Sequence, residues 1–173
     1  MLTPVTATER LLIREMQETD AAFVVELVND PAWIRYIGDN GVRTVQDAER
    51  YIRNGPVAMY AERGFGLYLV ELRESSEPIG ICGLIKREGL SDVDLGFAFL
   101  PRHRRRGYAR EASLAVLAYA RSVLGLSRIV AIVSHDNEPS CRLLESLGFR
   151  REGRVRLKVD DAELALYAAA AAA

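Results

Sequence analysis

Residues 92–110 read DVDLGFAFLPRHRRRGYAR, and the fold turns on how that stretch divides. Residues 92–99 have the composition of a strand that ends at Phe99-Leu100-Pro101. Residues 108–124 place apolar side chains at 109, 112, 116, 117, 120, 123 and 124, the stripe of an amphipathic helix. A short basic loop with Gly107 at its end lies between them. A strand, a glycine-containing loop and a helix N-terminus together form an anion site, because free N–H groups and the positive end of the helix dipole converge there. Glycine lets phosphate oxygens approach the backbone with no Cβ in the way. The pattern is neither GxxxxGK[ST] nor GxGxxG, so the expected ligand is a phosphate-bearing molecule outside those two classes.

The charge distribution points to the same place. Residues 102–110 carry five arginines and no acid, so the loop's +5 stands against −6 in the rest of the chain, for a formal total of −1. A balance that close to zero excludes a dedicated polyanion binder. The length of 173 residues, 49% of them apolar, suits one domain with a sizeable core. It also excludes a disordered tail or a disulfide-stapled miniprotein.

Upstream of the loop, residues 9–15 (ERLLIRE) form a strand with Leu11 and Ile13 on one face and Leu12 on the other. A helix then starts at Thr19-Asp20 and stops at Asp30-Pro31. Thr44 and Asp47 have the spacing of a capping box for a helix over 45–53, and a short helix follows over 57–62. Strands at 66–72, 79–86 and 92–99 are separated by turn-rich segments, which predicts antiparallel hairpins. Downstream of the long helix, residues 128–134 (RIVAIVS) form a buried strand. Asn137 caps a helix with Pro139 in its first turn and Gly148 past its end. Strands near 149–157 and 163–167 complete the order βααβββαβαββ, an α/β (α+β) single domain over 1–173 with a mixed sheet.

The N-terminal residues have neither a basic nor an apolar leader pattern, and the longest apolar run, 164–173, has ten residues against the roughly 20 of a membrane span. A cytoplasmic protein with no membrane partner is expected. Cys82 and Cys141 belong to no CxxC and read as core fillers. Two cysteines and two histidines at unrelated spacings make no metal site. The alanine run 168–173 is set aside from the functional reading.

Arg104-Arg105-Arg106-Gly107-Tyr108-Ala109 matches (Q/R)xxGx(G/A), and with it the chain resembles the GCN5-related N-acetyltransferases (GNAT family). The likeness runs from about residue 9 to residue 167. It is strongest toward the RimJ/RimL-like ribosomal-protein N-terminal acetyltransferases, in ERLLIRE, GFGLYLVEL, PIGICGL and DNEPSCRLLESLGF. The resemblance implies a mostly antiparallel seven-stranded sheet with helices on both faces, and acetyl-CoA as co-substrate. By resemblance, the amides of Arg105, Arg106, Gly107, Tyr108, Ala109 and Arg110 would cradle the CoA pyrophosphate. Arginine side chains of the loop, Arg104 among them, would add charge at the 3′-phosphate. Phe97, Ala98, Phe99 and Leu100 would pair with the pantetheine arm where the strands 92–99 and 128–134 splay, with Asn137 touching the arm.

Acyl transfer from a thioester to an amine needs a base, since an ammonium cannot attack, and N–H donors for the carbonyl oxygen, expected from an irregular strand end. Asp94 stands where relatives carry a carboxylate and is the candidate base. Ser140, where many members have tyrosine, is the candidate proton donor to the thiolate. His103 would supply charge in the loop, and His135 lies after a strand end near the expected thioester site. Trp33, Tyr36, Phe65 and Tyr68 fall where the family builds its acceptor groove. The expected acceptor is a primary amine, either a protein N-terminus or a small molecule such as a polyamine, an amino acid or an aminoglycoside. No DNA partner is expected, and the chain would be a monomer or a homodimer. The alternative is a CoA-binding or protein-interaction module without turnover.

Overall fold

The computed structural model describes residues 2–169. One eight-stranded sheet runs in the order β1-β2-β3-β4-β5-β6-β8-β7. Its strands are β1 (Pro4–Ala7), β2 (Leu11–Arg14), β3 (Leu67–Leu72), β4 (Pro78–Ile85), β5 (Val93–Phe99), β6 (Ile129–Val133), β7 (Phe149–Val155) and β8 (Leu164–Ala169). The count exceeds the expected seven by β1, which pairs antiparallel with β2 (Thr6↔Ile13) across a register shift after Pro4. Ala168 and Ala169, set aside in the sequence as part of an alanine run, are the buried end of β8; the rest of that run lies outside the described residues.

Helices cover both faces. α1 (Ala21–Val28) and α3 (Val45–Ile52) enclose a core with Leu69, Ile81 and Leu100, while α5 (Tyr108–Ser122) packs Ala112, Val116 and Leu117 against the Val70, Cys82 and Leu84 side. Along β3 this is strand alternation made visible, with Leu69 on one face and Val70 on the other. The Thr44 hydroxyl accepts from the Asp47 amide at 3.1 Å, and Asp47 answers to the Thr44 amide at 3.0 Å, so the capping box starts α3 where the spacing placed it. Pro31 does not simply stop the chain. It occupies the first turn of a further helix, α2 (Pro31–Tyr36), where its missing N–H costs nothing. α3 passes through a wide π turn at Arg53–Val57, with Pro56 inside it, into α4 (Ala58–Arg63). α6 (Glu138–Ser146) precedes β7.

Candidate active site in the split sheet

β5 and β6 are the sheet's one parallel pair among the described residues, and they touch only at Val93↔Ile129 and Asp94↔Val130. Beyond Asp94, β5 stays with β4 as far as Phe99, while β6 stays with β8 as far as Val133. The strands separate and leave two unpaired edges facing one another. The gap between them belongs to a cavity of about 810 Å³.

Backbone alternation says which groups face the gap. Leu100 donates its N–H to the Ile79 carbonyl at 3.0 Å, and the β4–β5 register then runs unbroken to Asp94. Even-numbered β5 residues therefore bond to β4, and Leu95, Phe97 and Phe99 turn their N–H and C=O groups toward the gap. One of these is already engaged, since Arg104 Nε donates to the Phe99 carbonyl at 3.0 Å. The strand end carries no bulge, so the irregularity expected there as a source of N–H donors is absent; the donors facing the gap come from a regular edge.

The basic loop follows directly. After the turn Pro101–His103, Arg105 takes a left-handed backbone (φ 61°) and Gly107 does the same at φ 82° as the N-cap of α5. The left-handed residues break the helical ladder, so the amides of residues 105–110 find no backbone acceptor among the described residues; the first such bond runs from Glu111 to the Gly107 carbonyl at 3.0 Å. A row of unpaired donors at the positive end of a 15-residue helix suits an oxyanion.

The side chains of the loop divide into two groups. Arg102 is held by Glu26 at 2.5 Å and by Glu77, and Arg104 by Asp30 at 2.6 Å, so two of the five charges are neutralised locally. Arg105, Arg106 and Arg110 have no ion pair among the described residues. His103 is buried, with Nε2 3.0 Å from Glu77 and Nδ1 without a hydrogen-bond partner.

Asp94 sits at the root of the gap, 1% exposed, with its carboxylate 3.2 and 3.3 Å from Arg87 Nε. Asp94 thus has an arginine partner but almost no contact with solvent. Burial pushes the Asp94 carboxyl above the usual carboxylate range, with Arg87 opposing the shift. Burial also raises the Tyr51 phenol, again opposed by Arg87. At the other wall, Asn137 Oδ1 accepts from the Ser140 amide at 3.4 Å, and the Ser140 hydroxyl has no partner among the described residues.

Of the residues assigned to catalysis or cofactor binding, all line this cavity except Leu100 and Arg106. Leu100 is a core residue, 1% exposed, with its N–H engaged by Ile79. Arg106 offers its carbonyl to Arg10 Nη1 at 3.0 Å. His135 does not line the cavity; Arg151 holds its Nδ1 at 2.9 Å and Glu163 lies on the other side. Trp33 and Tyr36 reach the wall, whereas Phe65 and Tyr68 belong to the core. Tyr51, Met59, Asp30 and Arg87 line it unforeseen. Only Arg87 left a signal, since the hairpin register that pairs Ile85 with Asp94 brings it close. Among the described residues no three His, Cys, Asp or Glu side chains gather as a metal site, and no helix is long and apolar enough to cross a membrane.

Comparison with known proteins gives one consistent result. Residues 10–150 match the acetyltransferase (GNAT) domain family. The chain is 33% identical over 154 residues to "Uncharacterized N-acetyltransferase YoaA" of Bacillus subtilis (strain 168), covering 88% of this chain and 86% of that one. A GnaT-family acetyltransferase structure from Bordetella pertussis superposes with a TM-score of 0.78 at 27% identity, over 98% of this chain and 99% of the other. The ribosomal alpha-N-protein acetyltransferase RimL, solved in complex with coenzyme A, shares the fold at a TM-score of 0.77 and 20% identity, with 97% of each chain covered.

Proposed function

The chain belongs to the GNAT acetyltransferase family, and we propose that it transfers an acetyl group from acetyl-CoA to a primary amine, in the cytoplasm, by direct attack with both substrates bound. The observation that carries this reading is the open β5 edge leading straight into the loop of unpaired amides. One end matches an extended amide-bearing arm and the other a pyrophosphate.

The residues fit acetyl-CoA as follows. The amides of Arg105 and of residues 107–110 hold the pyrophosphate, with Arg105 and Arg110 adding charge from the cavity wall. Leu95 and Phe97 offer backbone groups to the arm, as an added strand would. The bound thioester supplies an activated acetyl group. The amine nitrogen forms the new bond to the carbonyl carbon as the C–S bond breaks and the electron pair leaves on sulfur. Asp94, directly or through a water, takes the proton the amine must lose; its upward shift brings its basicity closer to that task than an ordinary aspartate. Edge N–H groups of β5 face the carbonyl oxygen as it gains charge. The Ser140 hydroxyl lines the wall and would donate a hydrogen bond to the departing thiolate, relaying to it a proton taken up from water.

A thiol-release assay with acetyl-CoA and a panel of amines and N-terminal peptides tests the proposal. Acceptor-dependent release supports it. Tight CoA binding with no release above hydrolysis on any acceptor points instead to a binding module without turnover.

A further inference from the structure

We infer that the acceptor is an amine carried beside an aromatic or bulky apolar group, with no second cation; this rests on the acetyl-transfer reading and narrows it. Away from the arginine loop, the cavity is walled by Trp33 and Tyr36 of α2, Tyr51 of α3, Met59 of α4 and Leu67 of β3. Trp33 is 5% exposed and its indole N–H is already bonded to Asn40 at 2.8 Å, so what it adds to this wall is an apolar ring edge. Aromatic and thioether side chains in such a wall favour a ring or branched chain by contact area and by offset ring packing.

Charge excludes the polycations. Among the described residues only two carboxylates line the cavity, and each already has its arginine: Asp30 with Arg104 at 2.6 Å, and Asp94 with Arg87 at 3.2 Å. Neither pair leaves an uncompensated negative charge. A polyamine or aminoglycoside would bring several ammonium groups out of water with nothing to receive them, and its nearest charged neighbours would include Arg87 and Arg104. A lone reacting amine has no such need, because it gives up its proton in order to attack.

The test uses the whole chain. Calorimetric titration with CoA comes first; absence of binding overturns the acetyl-transfer reading and this inference with it. Initial rates are then measured with 2-phenylethylamine, with a tripeptide amide that begins in phenylalanine, with spermidine and with kanamycin. At least one aromatic probe should exceed both polycations in kcat/KM by about tenfold or more, and which aromatic probe wins separates a small-molecule acceptor from a peptide one. A polycation that matches or beats both aromatic probes overturns the inference and leaves acetyl transfer standing. If no probe releases thiol, binding is read from Trp33, the chain's single tryptophan. In the CoA complex 2-phenylethylamine should shift its emission and spermidine should not; no shift with either aromatic probe overturns the inference. Ile37, on the cavity wall and 54% exposed, provides a second arm. Ile37→Glu adds an unpaired carboxylate and should raise spermidine relative to 2-phenylethylamine several-fold; an unchanged ratio counts against the charge argument.

Discussion

Arg10 holds Glu111, 101 residues later in the chain, with Nε 2.7 Å from Oε2, while its Nη1 bonds the Arg106 carbonyl at 3.0 Å. The same guanidinium lies 4.4 Å over the Tyr108 ring. One side chain from the β1–β2 turn thus ties the far side of the basic loop to the first turn of α5. Burial acts against the charged form of Glu111, yet hydrogen bonds from Thr8 and Arg10 hold its carboxyl below the ordinary range. Arg10→Ala is expected to raise KM for acetyl-CoA several-fold with kcat little changed, because the loop loses its outer brace and not a reacting group. The Arg10 side chain is 43% exposed, so the cost in stability should stay within about 1 kcal/mol. Arg10→Lys should rescue poorly, since a point charge cannot reproduce the fork. Steady-state kinetics over acetyl-CoA concentration check this.

Gly107 is the N-cap of α5 at φ 82°, and an added Cβ would lie 3.3 Å from the Arg10 guanidinium. Gly107→Ala should cost about 1–2 kcal/mol of backbone strain. Gly107→Glu adds a carboxylate against the anion and should weaken CoA binding by well over tenfold while far-UV circular dichroism holds. Undiminished affinity in the glutamate variant would sink the cofactor assignment.

Asp94→Asn should lower kcat by about 10²- to 10⁴-fold, the range of a positioned base, with CoA affinity intact. Burial raises the native pKa of Asp94, so the acid limb of the wild-type pH profile should fall above the ordinary carboxylate range and vanish in the variant. The raised value means that the ionised group costs stability; that cost is absent below the ordinary pKa and complete once the pH exceeds the native one. Asparagine removes the cost at neutral pH, and Arg87, whose side chain is 35% exposed, can turn to water. Stability should therefore hold while turnover collapses. A variant that keeps its activity would place the base elsewhere.

Arg14 is buried between two carboxylates, with 2.9 Å to Asp20 and 3.0 Å to Glu71. Arg14→Met leaves both without their cation and should cost about 3–5 kcal/mol. None of the three lines the cavity, so acetyl-CoA KM in the surviving folded protein should not move. Urea unfolding monitored beside the kinetics separates the two effects.

Complete burial pushes the Cys82 thiol up to about 12, against an opposing contact from Ser113. A thiol reagent should therefore label only Cys141, which is half-buried, in native protein, and Cys82 only after unfolding. Mass spectrometry of the labelled peptides checks the order.

Local chemistry was readable in the sequence wherever its partners were local. The Thr44 and Asn137 caps, the glycine before α5 and the β3–β4–β5 hairpins lie within a residue or two of their expected places. β1 escaped notice because four residues beginning with proline show no alternation, and it becomes a strand only by pairing with β2. Pro31 serves at both ends: α1 stops at Val28, just before it, and α2 opens on it, a start the stop signal alone did not announce. The loop's five formal charges stand, but two of them, on Arg102 and Arg104, are neutralised by Glu26 and Asp30, more than seventy residues upstream and out of reach of local reading. The burial of Asp94 was hidden for a related reason: its partner Arg87 and the Tyr51 that shares its cavity both come from outside β5.

The divided sheet has a consequence for how the protein survives in a crowded solution. A strand with free N–H and C=O groups is a template onto which foreign chains can grow, and proteins ordinarily guard such borders at the rim. Here two of them lie inside the molecule, facing each other across a slot that closes at Asp94 and Val130. A slot with walls on both sides admits one slender extended chain and refuses a second sheet. The recess that makes those edges available to a ligand is also what keeps them from seeding aggregates.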